Sequence, residues 1–421
     1  MKEQSRQAFI RFVSASGLTN LADGIATVLW AWVATLLTRD ALLVAVMPVA
    51  LRLPWFLFAL PAGVLADRVD RRRLILAMDL VRAGAFALAG LAVALALPLP
   101  AAAETGASVP WLFAGLLGAA FLVGTAEVFR DNAAQTMLPA LVPKASLERA
   151  NGRLWSVELL GNELIGPALG AFLIAASLWS PFALNAAAFA VAAALLASLP
   201  GAFRPPPRAR ADWRAELAEG FAFLRASPIL TALALITGGW NLLWMMVTVA
   251  LILHAQETLG MSAPAYGLLL AAGAVGGIAG SLVAERIIAR LGPGRTAQWM
   301  LLASALAFAA IPLAPNAWVL AAILAPFQAT GLIWNTVSVS HRQRITPDAI
   351  LGRLNSVYRL LAWGMMPLGL LLSGWLIGVS EGAVPRNVAL TVPFYAAALG
   401  AALLTLAGWR PLGRGFASGA A

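Results

Sequence analysis

Cysteine is absent from the 421-residue chain. That excludes a disulfide frame, a thiolate nucleophile, a Cys-ligated metal and an iron–sulfur centre. Imidazole is nearly absent as well, with His254 and His341 the two histidines, too few for a His-rich catalytic metal site. Charge is scarce: Asp, Glu, Lys and Arg make up 11% of residues, where a soluble chain carries roughly 25%. No Gly-x-x-x-x-Gly-Lys-Ser/Thr stretch cradles a phosphate, so the chain does not drive itself by hydrolysing ATP. There is no His-x-x-x-His, no Ser/Lys dyad and no Asp-rich helical motif to support a membrane-embedded enzyme, and no cofactor is expected. Hydrophobic residues fill the space these absences leave, at 61% of the chain. An ordinary cytosolic enzyme and a disordered chain are excluded by that figure, and the long apolar runs predict an all-α polytopic membrane protein.

At roughly 20 residues per crossing, about twelve apolar stretches can be counted. They run from Phe9 to Leu37, Leu42 to Ala66, Leu74 to Leu97, Pro110 to Ala134, Leu154 to Ser177, Pro181 to Leu199, Ile229 to His254, Tyr266 to Ile288, Thr296 to Leu313, Ala317 to Ser340, Leu354 to Ile377 and Val388 to Leu406. The first lacks the ordered regions of a cleavable signal and reads as a retained helix.

Basic residues exceed acidic ones by 29 to 19, which in a soluble protein would raise nucleic acid as a partner. Their placement gives a different answer. Lys2, Arg6 and Arg11 open the chain; Arg68 and Arg71 to Arg73 follow the second stretch; Lys144, Arg149 and Arg153 follow the fourth; Arg204, Arg208, Arg210, Arg214 and Arg225 follow the sixth. Arg290 and Arg295 follow the eighth, Arg342, Arg344 and Arg353 the tenth, and Arg410 and Arg414 the last, while the opposite loops hold Arg39 and Arg386. By the positive-inside rule, both termini and the long central loop lie in the cytoplasm and the chain sits in the inner membrane. Nucleic acid drops out.

The central loop begins GAFRPPPRARAD, whose three prolines forbid helix. After it, Trp213, Leu217, Phe221 and Leu224 recur at helical spacing, as expected of a helix lying in the headgroup layer. The division this predicts is a six-helix bundle over 1–200, a cytoplasmic linker over 201–228 and a second six-helix bundle over 229–421. Internal repetition supports it. An offset of 218 carries Asp23 onto Asn241 and Asp67-Arg68 onto Glu285-Arg286, and an offset of 204 carries Pro143 and Asn151 onto Pro347 and Asn355.

The segment GVLADRVDRRR, from Gly63 to Arg73, lies in the joint after the second stretch. It resembles the signature loop of the major facilitator superfamily, with Gly63, Asp67, Arg68, Arg71, Arg72 and Arg73 matching and Asp70 standing where the family has Gly. NLADGI, LPALVP and GRLNSVY are similar to the branch that contains siderophore exporters and macrolide or multidrug efflux proteins. The resemblance implies two pseudo-repeated bundles working by alternating access. It also implies a gating role for Asp67 and Arg68, whose charge-assisted bonds would reach neighbouring helix termini, including that near Gly352. Gly166, Pro167 and Gly170 resemble the fifth-helix motif of proton-driven antiporters, although Ala171 replaces its last Gly; small residues there also let helices approach closely.

A charge at the bilayer centre costs roughly 2.5–3.5 kcal/mol, so buried ionisable groups are informative. At 1.5 Å per residue, Asp23 and Arg52 both lie ~20 Å above the cytoplasmic side. They are expected to face each other, as a structural pair or as a site where Asp23 exchanges a proton and Arg52 tunes it. Glu163 is the main rival. Glu127, with Arg130 and Asp131 in the fourth helix and Asp79 and Arg82 in the third, reads mainly as a structural charge network. The mid-helix Arg of many antiporters is missing from FAGLLGAAFLVGTA.

If the family architecture holds, the first, fourth, seventh and tenth helices line the cavity. Asn20, Thr27 and Trp30 then share a face with Asp23; Trp240, Asn241 and Trp244 share a second; Gln328 and Asn335 lie on a third, with Trp334 nearby at mid-helix. Few polar groups among large aromatics suit a small amphipathic organic substrate. The expectation is therefore a monomeric secondary transporter that exports a drug, siderophore or similar metabolite, with proton antiport as its coupling. Uptake by a symporter or facilitator and lysolipid or lipid flipping are the alternatives.

Overall fold

The computed structural model describes residues 3–66, 68–142, 146–199, 201, 203–204 and 213–418. They form α1 (Glu3–Leu37), α2 (Ala41–Ala66), α3 (Arg71–Ala96), α4 (Pro110–Leu141), α5 (Leu147–Leu159), α6 (Gly166–Ala176) and α7 (Ser180–Ala197), with a π-helical turn over Leu160–Ile165 joining α5 to α6. Next come α8 (Trp213–Ala226), α9 (Pro228–Glu257), α10 (Ala263–Leu291), α11 (Pro293–Ala310), α12 (Ala317–Ile345), α13 (Asp348–Gly364), α14 (Met366–Glu381), α15 (Arg386–Ala389) and α16 (Val392–Ser418). Twelve stretches are long and apolar enough to cross a bilayer; α5 with α6, α13 with α14, and α15 with α16 each contribute one.

The helix starts are written locally. Ser227 accepts the Leu230 amide with Pro228 at the first helical position, and Asn316 accepts the amides of Trp318 and Val319, so orphan donors are satisfied before the apolar run enters lipid. Proline also opens α4, α7 and α11, where its missing N–H costs nothing.

The chain divides into two compact units, Met1–Ala209 with Ser262–Ala271 and Arg210–Met261 with Ala272–Ala421. Bare apolar surface does not drive helices together in lipid, so each unit relies on close packing. In the first, a Cβ on Gly24 or Gly166 would run into the other helix's backbone, and one on Gly170 would lie 2.9 Å from the Ile25 carbonyl. That contact is the structural use of Gly166 and Gly170, and Pro167 sits buried beside it. The second unit repeats the contact where Gly369 meets the Leu242 backbone. Leu242 stands 218 residues after Gly24 and Gly369 stands 203 after Gly166, near the offsets that the sequence repeats display.

The helix expected after the central loop exists as α8, and its apolar stripe is split. Leu217 and Leu224 pack into the second unit's core, whereas Phe221 is exposed. The cause is Gly220, whose bare backbone lets the Arg353 carbonyl of α13 within 2.7 Å of the Cβ position, while Arg353 pairs with Glu219 and reaches Glu216 at 3.8 Å. α8 is therefore docked on protein along this edge and does not lie on the headgroup layer alone.

Candidate functional site

The polar interior of the first unit is built around α1. Two ties fix α1 on either side of Asp23: Asn185 of α7 donates to the Ala22 carbonyl at 3.0 Å, and Asn162 of the π-turn donates to Asn20 Oδ1 at 3.0 Å. Asn20 itself donates to the Ser16 carbonyl at 2.8 Å. It is thus a helix–helix tie, with its amide already engaged.

Asp23 pairs with Arg82 of α3 and not with Arg52. The expected pairing rested on depth alone, and height along a helix does not say which neighbour its face meets. On α3, Ile75, Asp79, Arg82 and Phe86 recur at three- and four-residue steps on the buried side. That spacing carries Arg82 inward, where it has no exposure and its guanidinium stacks 3.9 Å over the Phe189 ring. Nε and Nη1 of Arg82 have no hydrogen-bond partner.

Below this pair, Arg130 of α4 donates to Asp79 at 3.3 Å and to Asp131 at 3.0 Å. Glu127, one turn earlier on α4, is drawn by both Arg82 and Arg52, with the Trp55 side chain beside it. Arg52, exposed on α2, also attracts Glu163 of the π-turn, and Glu158 senses Asp131, Arg130 and Glu163. The set is electrostatically continuous: Asp23, Asp79, Glu127, Asp131, Glu158 and Glu163 share Arg52, Arg82 and Arg130. The acids outnumber the guanidiniums, and those that are exposed, Glu158 and Glu163, also face solvent. The π-turn matters here, since one wide turn is what sets Asn162 against α1 while Glu163 stays exposed.

Further cavity expectations are redistributed. Trp30 is 1% exposed, lies edge-on to Phe182 at 5.5 Å and stays close to Phe86 at 5.4 Å; it is core, not wall. Thr27 is exposed and bonds the Asp23 carbonyl at 3.1 Å. In the second unit Trp240 and Trp244 are half-buried and gather around Phe327 at 5.8 and 4.9 Å, Gly331 leaving room for the Trp240 ring. Asn241 donates to the Ala362 carbonyl at 2.9 Å and Gln328 packs against Gly273, so both serve helix contacts; Asn335 is exposed. Trp334 is buried and opens a chain of donors that the sequence reading missed. Its indole donates to Thr237 at 3.2 Å, Thr237 meets Tyr358 at 2.6 Å, Ser338 meets Tyr358 at 2.9 Å, and Tyr358 donates to the Leu233 carbonyl at 3.1 Å.

Asp67 lies outside the described residues, as does Pro143. Around Asp67, Gly63 is half-buried with the Asn132 side chain 3.9 Å from its Cβ position, and Arg68 is exposed. Arg71 donates to the Thr136 carbonyl of α4 at 2.8 Å and Arg72 to the Leu199 carbonyl just after α7, each placing a cation near a helix C-terminus. Asp70, the departure from the family pattern, caps α3 through the Arg73 amide at 3.1 Å and accepts the Phe203 amide at 3.0 Å, while the Arg71 amide donates back to the Phe203 carbonyl at 3.3 Å. Partial burial would raise the Asp70 carboxyl, but those two amides and the guanidiniums of Arg72 and Arg73 outweigh it and hold it below the ordinary range.

Comparison with known proteins agrees with this architecture. A family model described as "transmembrane secretion effector" matches residues 4–410. The enterobactin exporter EntS of Escherichia coli O81 (strain ED1a) is 32% identical over 312 residues, 72% of this chain and 69% of that protein; EntS of Shigella boydii serotype 18 is 31% identical over the same span. Among solved structures, a bacterial homologue of the iron transporter ferroportin, inward-facing, superposes with a TM-score of 0.73 at 16% identity over 98% of this chain and 99% of that one. A mutant form of the nucleoside transporter NupG gives 0.75 at 12% identity over 96% and 99%. At such identities the structural likeness speaks for the fold.

Proposed function

The chain belongs to the transmembrane secretion effector family of the major facilitator superfamily, and from that premise we propose that it exports an amphipathic organic molecule across the inner membrane by alternating access, driven by proton entry. The observation that carries the coupling is the Asp23–Arg82 pair, a carboxylate 23% exposed against a guanidinium with no exposure. A proton on Asp23 weakens the attraction and frees Arg82 toward Glu127 and Asp131, the other acids that pull on it. Both termini face the cytoplasm, as the arginine distribution requires, and the working unit is the monomer. Likeness to an enterobactin exporter supports export over uptake and over lipid flipping, and favours a siderophore-like or drug-like cargo over a lipid.

The test is accumulation of a panel of hydrophobic cations, macrolides, siderophores and lysolipids in inverted vesicles, with and without an imposed pH gradient. Gradient-driven accumulation that Asp23→Asn abolishes, while counterflow exchange survives, is the expected outcome; Glu163→Gln is milder. Accumulation by Asp23→Asn vesicles equal to wild type would reduce the pair to a structural one. Transport of lysolipids alone would replace export of a soluble metabolite by lipid flipping.

A further inference from the structure

Arg342 is 9% exposed in the second unit, and among the side chains that the structure describes no carboxylate lies within ion-pair distance of it. Its neighbours hold it firmly without neutralising it. Nε donates to Asn355 Oδ1 at 2.9 Å, the guanidinium lies 3.9 Å over the Tyr358 ring, and Nη1 is buried without a partner. Tyr358 is itself locked, since its hydroxyl closes the donor chain from Trp334, Thr237 and Ser338 onto the Leu233 carbonyl. The charged side chain that bears on Arg342 is Arg359, of the same sign and exposed on α13. Arg342 also stands seven residues after the exposed Asn335, on the same face of α12, which extends the polar stripe of Gln328 and Asn335 by two turns. A buried guanidinium fixed in orientation, reinforced by a second cation and lacking a counter-ion, is a half-site for an anion.

We propose that Arg342, seated on Tyr358 and steered by Asn355, is an anion subsite of the second unit. It takes a carboxylate, phenolate, sulfonate or phosphate. The group belongs to the transported molecule or to an anionic lipid headgroup, and the first source rests on the export reading above.

Three fluorescent probes with one aromatic body separate the outcomes: dansylglycine (anionic), its methyl ester (neutral) and dansyl-ethylenediamine (cationic). They are titrated onto the full chain in phosphatidylcholine nanodiscs and again in discs containing phosphatidylglycerol. Wild type binds dansylglycine about 10-fold more tightly than the ester; Arg342→Gln brings the ratio to about 1 with ester affinity unchanged, and Arg342→Lys keeps part of the preference. Thermal stability of the lysine variant, measured alongside, guards against a folding artefact. A preference that persists in phosphatidylglycerol assigns the site to the cargo. One that collapses there in wild type, with Arg342→Gln the same in both discs, assigns it to the headgroup. A wild-type chain with no anion preference in phosphatidylcholine, whether by equal binding or by failure to bind dansylglycine, overturns the proposal, as does a preference that survives Arg342→Gln. Failure of reconstituted wild type to move any of the probes would count against the export reading and leave a measured anion preference standing.

Discussion

The two units repeat the same helix contacts and differ in how they handle charge. In the first, three arginines are surrounded by six carboxylates, and the tightest pair ties α1 to α3. In the second, a chain of hydroxyls and an indole ends on a backbone carbonyl, two imidazoles are buried at His254 and His341, and Arg342 is the buried arginine among the described residues. A hydroxyl chain of this kind is satisfied in one arrangement and keeps it. A surplus of acids around few arginines has several arrangements of similar energy, which a proton can choose between. Both units use the glycine contact, while among the described residues the carboxylate–guanidinium pairs that reach a buried arginine lie in the first.

The sharpest way to break that contrast is to remove one charge from the first unit. Asp23→Leu should cost up to about 3–5 kcal/mol because buried Arg82 loses its ion-pair partner and keeps the longer-range pull of Glu127 and Asp131, whereas Asp23→Leu with Arg82→Met should regain most of the stability and still fail to accumulate substrate against a gradient. Thermal unfolding and vesicle uptake on the same preparations decide it; a double variant that transports normally would mean that charge in the first unit does no coupling.

Next in size is a comparison of tryptophans. Trp30→Ala should lose about 3–5 kcal/mol, as for a large aromatic removed from a packed core, while the half-buried Trp244→Ala should lose less stability and more transport. The reverse ranking in paired stability and flux measurements would return Trp30 to the cavity wall.

Gly166→Val and Gly369→Val sharpen the part of the comparison in which the units agree. Each places methyls where another backbone already sits, and each should cost at least the 1–3 kcal/mol or so of overpacking. Similar losses would express the repeat in energetic form; a free substitution at one site and not the other would show that the contact is not shared.

At the cytoplasmic edge the effects are smaller. Asp70→Ala should lose about 1 kcal/mol as a helix cap. Its carboxyl lies below the ordinary value, so the stabilisation is fully present above about pH 4 and fades as pH falls through the lowered value. Unfolding midpoints of wild type and Asp70→Asn across about pH 3–7 should therefore converge at the acid end, and a constant gap would assign the effect to shape alone. Smallest is Arg353→Ala. Its pairs with Glu216 and Glu219 are exposed, so less than about 1 kcal/mol should change and added salt should mask it.

Much of this was legible in the chain before any coordinates. Crossings are set by local composition, because a backbone in hydrocarbon must satisfy itself and a run of apolar residues has helix as its answer. The repeat offsets, the signature loop and the small residues of the fifth crossing were readable for the same reason, each being a pattern along the chain. Height along a helix was readable too, from the rise per residue, but it did not identify the partner of Asp23.

Which side chains meet around the bundle axis was decided by the tertiary structure. Arg82 took Asp23 because the buried face of α3 turns it over Phe189, a fact of packing between three helices. Asn20 and Asn241 became ties, Trp30 became core, and Asp70 became a clasp on Phe203 through contacts between segments far apart in sequence. Sequence periodicity fixes the angle of a residue on its own helix; the partner across the gap depends on how neighbouring helices are rotated, and that rotation is set by where glycine lets two backbones touch.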